Sequence, residues 1–409
     1  MIRAIRDNWA LFAGMMMLMM ANGLLSTLLS IRGSAIGFSE TVIGIMQAGY
    51  PVGALAGCVI APRLVERVGH VRAFGALASL CSVAAVMHLV TDDAISWTAM
   101  RMLAGFCFPG LYVISEGWLN AKVDNSQRAA VLSIYFVVQT GGAAAGQALV
   151  GFGGSTVLFA ITSVLISLSL IPLLLSVKPA PDYVVPERLP FAKLLGVSPT
   201  AVLGAALNGV SQAGFYVALP LYGLALGKSV AEATALLVVG TISGAAVQFP
   251  VGWLSDRIDR RLVMLGLSVL ATFAALAGAV GVFSGGEVVL VAILAATVLP
   301  IYGLCVAHCN DQLRPSQIVP ASGTLVLVLN AGILIGAFGG AFILGVAGPA
   351  GFMSGLAVIA ALTAAVALIR RVQTDAPEDT GHAQAISAQG TQMAAMLHPD
   401  VDDTAGDDR

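Results

Sequence analysis

Long apolar stretches separated by short polar ones make up most of this chain. The first runs from about Trp9 to Ile31. Others follow near residues 41–61, 73–91, 97–119, 129–152, 156–177, 199–223, 233–254, 262–283, 287–309, 320–346 and 349–369. Each approaches the roughly 20 residues that a helix needs to cross the hydrocarbon core of a bilayer. The runs lack the alternation of barrel strands, and a segment in hydrocarbon must satisfy its own backbone polar groups. The pattern therefore predicts an all-α integral membrane protein with 12 transmembrane helices. The opening run is too long for the apolar core of a signal peptide and shows no obvious small-residue cleavage site, so it reads as the first span.

Composition sharpens this. Of 409 residues, 58% are hydrophobic and only 10% charged, against about 25% charged in an ordinary soluble domain. The net charge of -2 is spread over short loops with no basic face, so no nucleic-acid partner is expected. Cys58, Cys81, Cys107, Cys305 and Cys309 lie in or at the ends of apolar runs without paired spacing and read as buried thiols. His308-Cys309-Asn310-Asp311 sits at a water-facing end with no second ligand cluster, so no metal is expected. No cofactor is implied, and no nucleophile–base pair, phosphate loop or metal triad points to an enzyme.

Orientation follows from the cations, which resist translocation where acids contribute little. With the N-terminus inside, sixteen Lys and Arg residues fall in cytoplasmic segments, including Arg63, Arg67, Arg72, Lys122, Lys178, Arg188, Arg257, Arg260, Arg261, Arg370 and Arg371. Only two, Arg32 and Lys228, fall outside. Both termini are expected in the cytoplasm. The proline-rich stretch after Lys178 divides the chain into an N-terminal six-helix bundle (1–177), an inter-bundle loop (178–197) and a C-terminal six-helix bundle (198–371). A polar, acidic tail (372–409) lacks apolar periodicity and is expected to be disordered.

The two bundles share one register, offset by 190 positions: Arg67 matches Arg257, Tyr112 matches Tyr302, Asn120 matches Asn310, Gly142 and Gly146 match Gly332 and Gly336, and Asn22 is mirrored by Gln212. Six spans repeated in parallel form a transporter architecture with its site between the halves, near the bilayer midplane. The most charged turn, Gly252-Trp253-Leu254-Ser255-Asp256-Arg257-Ile258-Asp259-Arg260-Arg261, echoes Pro62 to Arg72, where Glu66-Arg67 stands in the Asp256-Arg257 place.

That turn resembles the signature loop of the major facilitator superfamily, roughly G-x-L-a-D-R-x-G-R-R, with Asp259 in place of the second Gly. Pro62 to Arg72 is similar to a degenerate copy, in which Glu66, Arg67, Gly69 and Arg72 keep the pattern and His70 replaces an arginine. Arg101-Met102-Leu103-Ala104-Gly105 is similar to the family's R-x-x-x-G motif. Arg101 with Glu116-Gly117-Trp118-Leu119, and Tyr302 leading into Asp311, resemble the YcaD-type branch of bacterial transporters. The resemblance implies a bacterial inner-membrane transporter in which Gly252, Asp256, Arg257, Arg260 and Arg261, with Glu66, Arg67, Gly69 and Arg72, hold one conformational state.

Two ionisable residues lie well inside a span, Arg101 and Glu116, fifteen positions apart. That is about 22 Å along a helix, too far to pair. Glu116 reads either as a proton-binding carboxylate or as the acceptor of Arg67 or Arg72. Arg101 reads as a proton relay, an anion contact or a snorkelling anchor. Asn208, Gln212 and Tyr216 recur at i, i+4 and i+8 and share a helix face. With Asn22, Gln139, Tyr112, Tyr302 and Asn330 they are the candidates to line a cavity. The expected partners are the lipid bilayer and a small-molecule substrate, with the proton as an open co-substrate. The expected activity is secondary transport by alternating access. A passive facilitator, or a non-transporting sensor or enzyme on the same bundle, is the alternative.

Overall fold

The computed structural model describes residues 2–120, 128–174 and 188–373. The expected tail from 374, positions 178–187 of the expected loop, Lys122 and Lys178 lie outside the described residues. Among those residues there is no strand. The first set of helices is α1 (Ile2–Ala35), α2 (Glu40–Val68), α3 (His70–Met87), α4 (Ala94–Asn120), α5 (Arg128–Leu149) and α6 (Ser155–Leu174). After a short α7 (Phe191–Val197), α8 (Pro199–Ala213) passes through a π turn, Gly214–Ala218, into α9 (Leu219–Ala225). Then come α10 (Val230–Ser255), α11 (Arg260–Ala279), α12 (Glu287–Val298), α13 (Ile301–Asn310) and α14 (Pro315–Gln373).

Ten described helices are long and apolar enough to cross a membrane, against the twelve runs of the sequence. The difference has two sources: α5 is not among the ten, and α14 counts once although it is broken at Gly348. Gly348 has φ 66°, a value that side-chain-bearing residues avoid, and Pro349 behind it has no N–H to continue the ladder. Runs eleven and twelve are the two arms of α14, 315–347 and 349–373.

The packing repeats as the sequence offset expects. In the first set α1 packs on α5 and α6, α2 on α4, and α3 on α4 and α6. In the second, α8 packs on α14, α10 on α12, and α11 on α12 and α14. Even the caps match: Ser39 accepts from Val42 N at the start of α2, and Ser229, 190 positions later, accepts from Glu232 N at the start of α10. The sets meet where α2 lies against α14 and α5 against α10.

Small residues set the closest approaches within each set. A Cβ on Gly146 would overlap the Met20 carbonyl of α1, and one on Gly336 would overlap the Val210 carbonyl of α8. Backbones can come this near only where no side chain intervenes. The outer faces carry exposed apolar side chains such as Ile45, Val83, Val164, Ile242, Phe273 and Val358, a surface suited to lipid.

Candidate functional site

Between the two sets lies a cavity of about 180 Å³, below the roughly 300–1,000 Å³ of pockets for drug-sized ligands. The first set supplies Asn22, Ser26, Gln47, Tyr50, Arg101, Tyr112, Gln139 and Gln147; the second supplies Gln212, Tyr216, Thr241 and Asn330. Six of the eight expected cavity residues are therefore brought together, and Arg101 joins them. Thr241 Oγ1 donates to Gln147 Oε1 at 2.9 Å, a direct bond from α10 to α5 across the sets.

Asn208 and Tyr302 do not reach the cavity. Asn208 Nδ2 donates to the Val298 carbonyl at 2.7 Å, one of the acceptors left over where α12 ends. Its own Oδ1 accepts from Gln212 Nε2 at 2.5 Å. Tyr302 is buried among Leu189, Val251 and Leu325 in an apolar cluster. The i, i+8 face predicted for Asn208 and Tyr216 is also interrupted, because Tyr216 sits in the π turn. Pro220 explains the turn: it has no N–H for the Tyr216 carbonyl, and the helix widens just before it.

Arg101 is 4% exposed. Its Nε donates to Gln47 Oε1 at 2.9 Å and its Nη2 to Ser26 Oγ at 3.0 Å, while Cζ lies 4.4 Å from the Tyr50 ring centre. Nη1 has no hydrogen-bond partner among the described residues. Ser26 and Tyr50 were not anticipated from sequence; on an apolar helix a lone Ser or Tyr carries no signal until a charge faces it.

Glu116 is fully buried outside the cavity wall. It accepts from Tyr135 Oη at 2.5 Å, and Tyr135 Oη accepts from Gln139 Nε2 at 2.9 Å. Gln139 lines the cavity, so a hydrogen-bonded chain of three residues connects the carboxyl to it. Arg67 and Arg72, the arginines weighed as Glu116 partners, are instead exposed and form no ion pair among the described residues.

The two charged turns are built differently. At the second, Arg260 is 1% exposed and faces two acids: Nε donates to Asp311 Oδ2 at 2.6 Å and Nη1 to Asp256 Oδ1 at 2.9 Å. It thus ties the ends of α10 and α13 to the start of α11. Gly252 contributes its carbonyl, which accepts from Asp256 N at 3.1 Å. Arg261 grips Asp259 at 2.9 Å and donates to the Arg370 carbonyl of α14 at 3.1 Å. Burial opposes the Asp259 carboxylate, yet the bonds from Arg261 hold it below the usual carboxylate range. Arg257 points elsewhere, its Cζ 3.8 Å from the exposed Trp253 ring. At the first turn Glu66 is exposed like Arg67 and Arg72. Gly69 makes the bend with φ 83°, where Asp259 of the other copy instead caps α11 with its side chain.

At this end of the bundle the segment between the sets makes contacts with both of them. Arg188 Nη2 donates to the Cys58 carbonyl of α2 at 2.6 Å. The next residue, Leu189, bonds α14 twice: its N donates to the Pro320 carbonyl at 3.1 Å, and its carbonyl accepts from Thr324 Oγ1 at 2.5 Å. Cys58 lines the cavity, so the segment between the sets straps them together beneath it. The opposite end carries its own matched pairs, Arg32 with Asp92 at 3.6 Å and Lys228 with Glu287 at 3.0 Å.

A bundle of apolar helices that packs as two similar sets around a cavity carrying polar side chains from both defines a multi-pass membrane transporter. The chain belongs to the Major Facilitator Superfamily, whose profile matches residues 11–296 and 201–395. Among its curated relatives is the uncharacterized MFS-type transporter YcaD of Salmonella arizonae, 26% identical over 339 residues, covering 80% of this chain and 86% of the relative. Another is an uncharacterized MFS-type transporter of Yersinia pestis, 25% identical over 336 residues with the same coverage. These place it in the YcaD-like branch. Among solved structures it is similar in fold to the nucleoside transporter NupG, with TM-score 0.74, 14% identity and coverage of 88% and 98% of the two chains. A bacterial homolog of the lysosomal transporter Spinster gives TM-score 0.72 and 16% identity, with coverage of 90% and 96%.

Proposed function

We propose that this protein is a secondary transporter that moves a small organic solute by alternating access across the bacterial inner membrane. Two six-helix halves, with twelve spans in all and both termini in the cytoplasm, rock about the central cavity. The observation that carries this reading is the cavity itself, set between the helix sets and lined by polar and apolar side chains from both. Contacts that differ between two states are what such rocking needs. The Asp256–Arg260–Asp311 cluster and the strap at Arg188 and Leu189 serve the state with the cytoplasmic end closed. Opening that end requires Arg188 to leave the Cys58 carbonyl.

Coupling to protons is carried by Glu116, linked to the cavity through Tyr135 and Gln139. A buried carboxyl at the end of such a hydrogen-bonded chain can load and release one proton per cycle. The test is solute uptake into vesicles with and without an imposed pH gradient. Glu116→Gln should abolish gradient-driven accumulation while preserving counterflow exchange. Loss of neither assigns Glu116 to structure alone, and equal wild-type uptake with and without the gradient makes the protein a facilitator. If no solute of a broad panel moves, the transporter reading itself fails.

A further inference from the structure

Among the described residues that line the cavity, Arg101 is the one charged side chain, with no Asp, Glu, Lys or His. Its guanidinium is buried and held by neutral groups, the Gln47 amide, the Ser26 hydroxyl and the Tyr50 ring. A buried charge without a counter-charge is costly, by several kcal/mol in real proteins, and neutral hydrogen bonds offset only part of that. One further donor, Nη1, has no partner among the described residues although its residue lines the open space.

The duplication supplies an independent argument. Residues that serve only the shared scaffold should recur 190 positions later, as the close-approach glycines and the caps do. The Arg101 cradle does not recur: Arg101, Gln47, Tyr50 and Ser26 correspond to Val291, Leu237, Gly240 and Tyr216. Leu237 and Tyr216 line the same cavity from the second set, beside Val217. The cavity's one cation thus comes from the first set, while the second set adds the apolar and aromatic Tyr216, Val217 and Leu237 beside the neutral Gln212, Thr241 and Asn330.

We propose that the transported solute is a small amphipathic monoanion, its carboxylate or equivalent group seated on Arg101 and its apolar body against Tyr216, Val217 and Leu237. This rests on the transporter reading above and narrows it. A single guanidinium matches a single anionic group, and the N–H groups of Nη1 suit one oxygen of a carboxylate.

The probe is a panel of small monocarboxylates, each paired with its primary amide of nearly equal size, tested by thermal shift on the purified full chain and by vesicle uptake. Acids that bind should raise Tm, and their amides should not. Arg101→Gln should weaken acid binding by roughly ten- to hundredfold, and Arg101→Lys, which keeps the charge, should lose less. Unliganded Arg101→Gln should melt no lower than wild type, since it removes an uncompensated charge. The anion seat is overturned if amides stabilise as well as acids, if no acid binds, or if Arg101→Gln melts early yet keeps its acid response, which would make Arg101 a structural staple. Uptake of a neutral or cationic solute would overturn the seat while leaving the transporter reading intact.

Discussion

Arg260→Ala should cost about 3–5 kcal/mol of stability, because it leaves Asp311 buried without its cation. Both side chains of that pair are 1% exposed and the Nε–Oδ2 separation is 2.6 Å. The loss should appear as an early melt of purified protein and as low yield from the membrane. Replacing both partners together, Arg260→Met with Asp311→Leu, should recover most of it, since the deeply buried pair is removed as a unit and only the partly exposed Asp256 loses its cation. Arg257→Ala, by contrast, removes only an exposed stack on the Trp253 ring and an exposed hydrogen bond to the Trp253 carbonyl, and should melt close to wild type. Equal losses for Arg260→Ala and Arg257→Ala would remove Arg260 from the centre of the turn. Transport separates gating from stability: the stable double variant should still shift the exposure of the cytoplasmic end, because its link to Asp256 is gone.

Gly146→Ala and Gly336→Ala should each be strongly destabilising, at or above the roughly 1–3 kcal/mol typical of overpacking. In both, the added methyl meets the backbone of a neighbouring helix, Met20 of α1 or Val210 of α8, which cannot rotate away. Gly141→Ala and Gly339→Ala add the same methyl into open space and should be neutral or slightly stabilising, since alanine is the better helix former. The comparison is read by the fraction of monodisperse protein that survives a heat step. If all four variants behave alike, the close approach of α1 to α5 and of α8 to α14 is not what the glycines provide.

The fold was legible because the bilayer leaves few choices. Apolar run lengths, the cation bias and the 190-residue offset point to one architecture, and the matched packing of α2 on α4 and α10 on α12 repeats that offset in space. The cavity was legible where an amide interrupts an apolar face, as with Asn22, Gln139 and Gln212. It was less so where the same residue type serves helix ends: Asn208 caps α12 because Val298 has a spare carbonyl, a need visible only once the helix break at Pro300 is known. Tyr112 and Tyr302 share one register position, yet one lines the cavity and the other fills an apolar cluster, since the two sets pack different neighbours there. The charged turn was read as a motif, and its partners were not. Asp311 is 51 positions from Arg260, and Arg188 reaches Cys58 across 130; no local spacing encodes either contact.

The central claim is that the cavity opens alternately to the two sides of the membrane. It is tested most directly by a single cysteine at Asn330, which lines the cavity from the second set, in a chain whose five native cysteines are replaced. A membrane-impermeant thiol reagent is applied in turn to right-side-out and inside-out vesicles. The account predicts modification from both sides, with the ratio of the two rates moved by Asp256→Asn, which loosens the charged turn. Modification from one side alone, with or without that substitution, would contradict it.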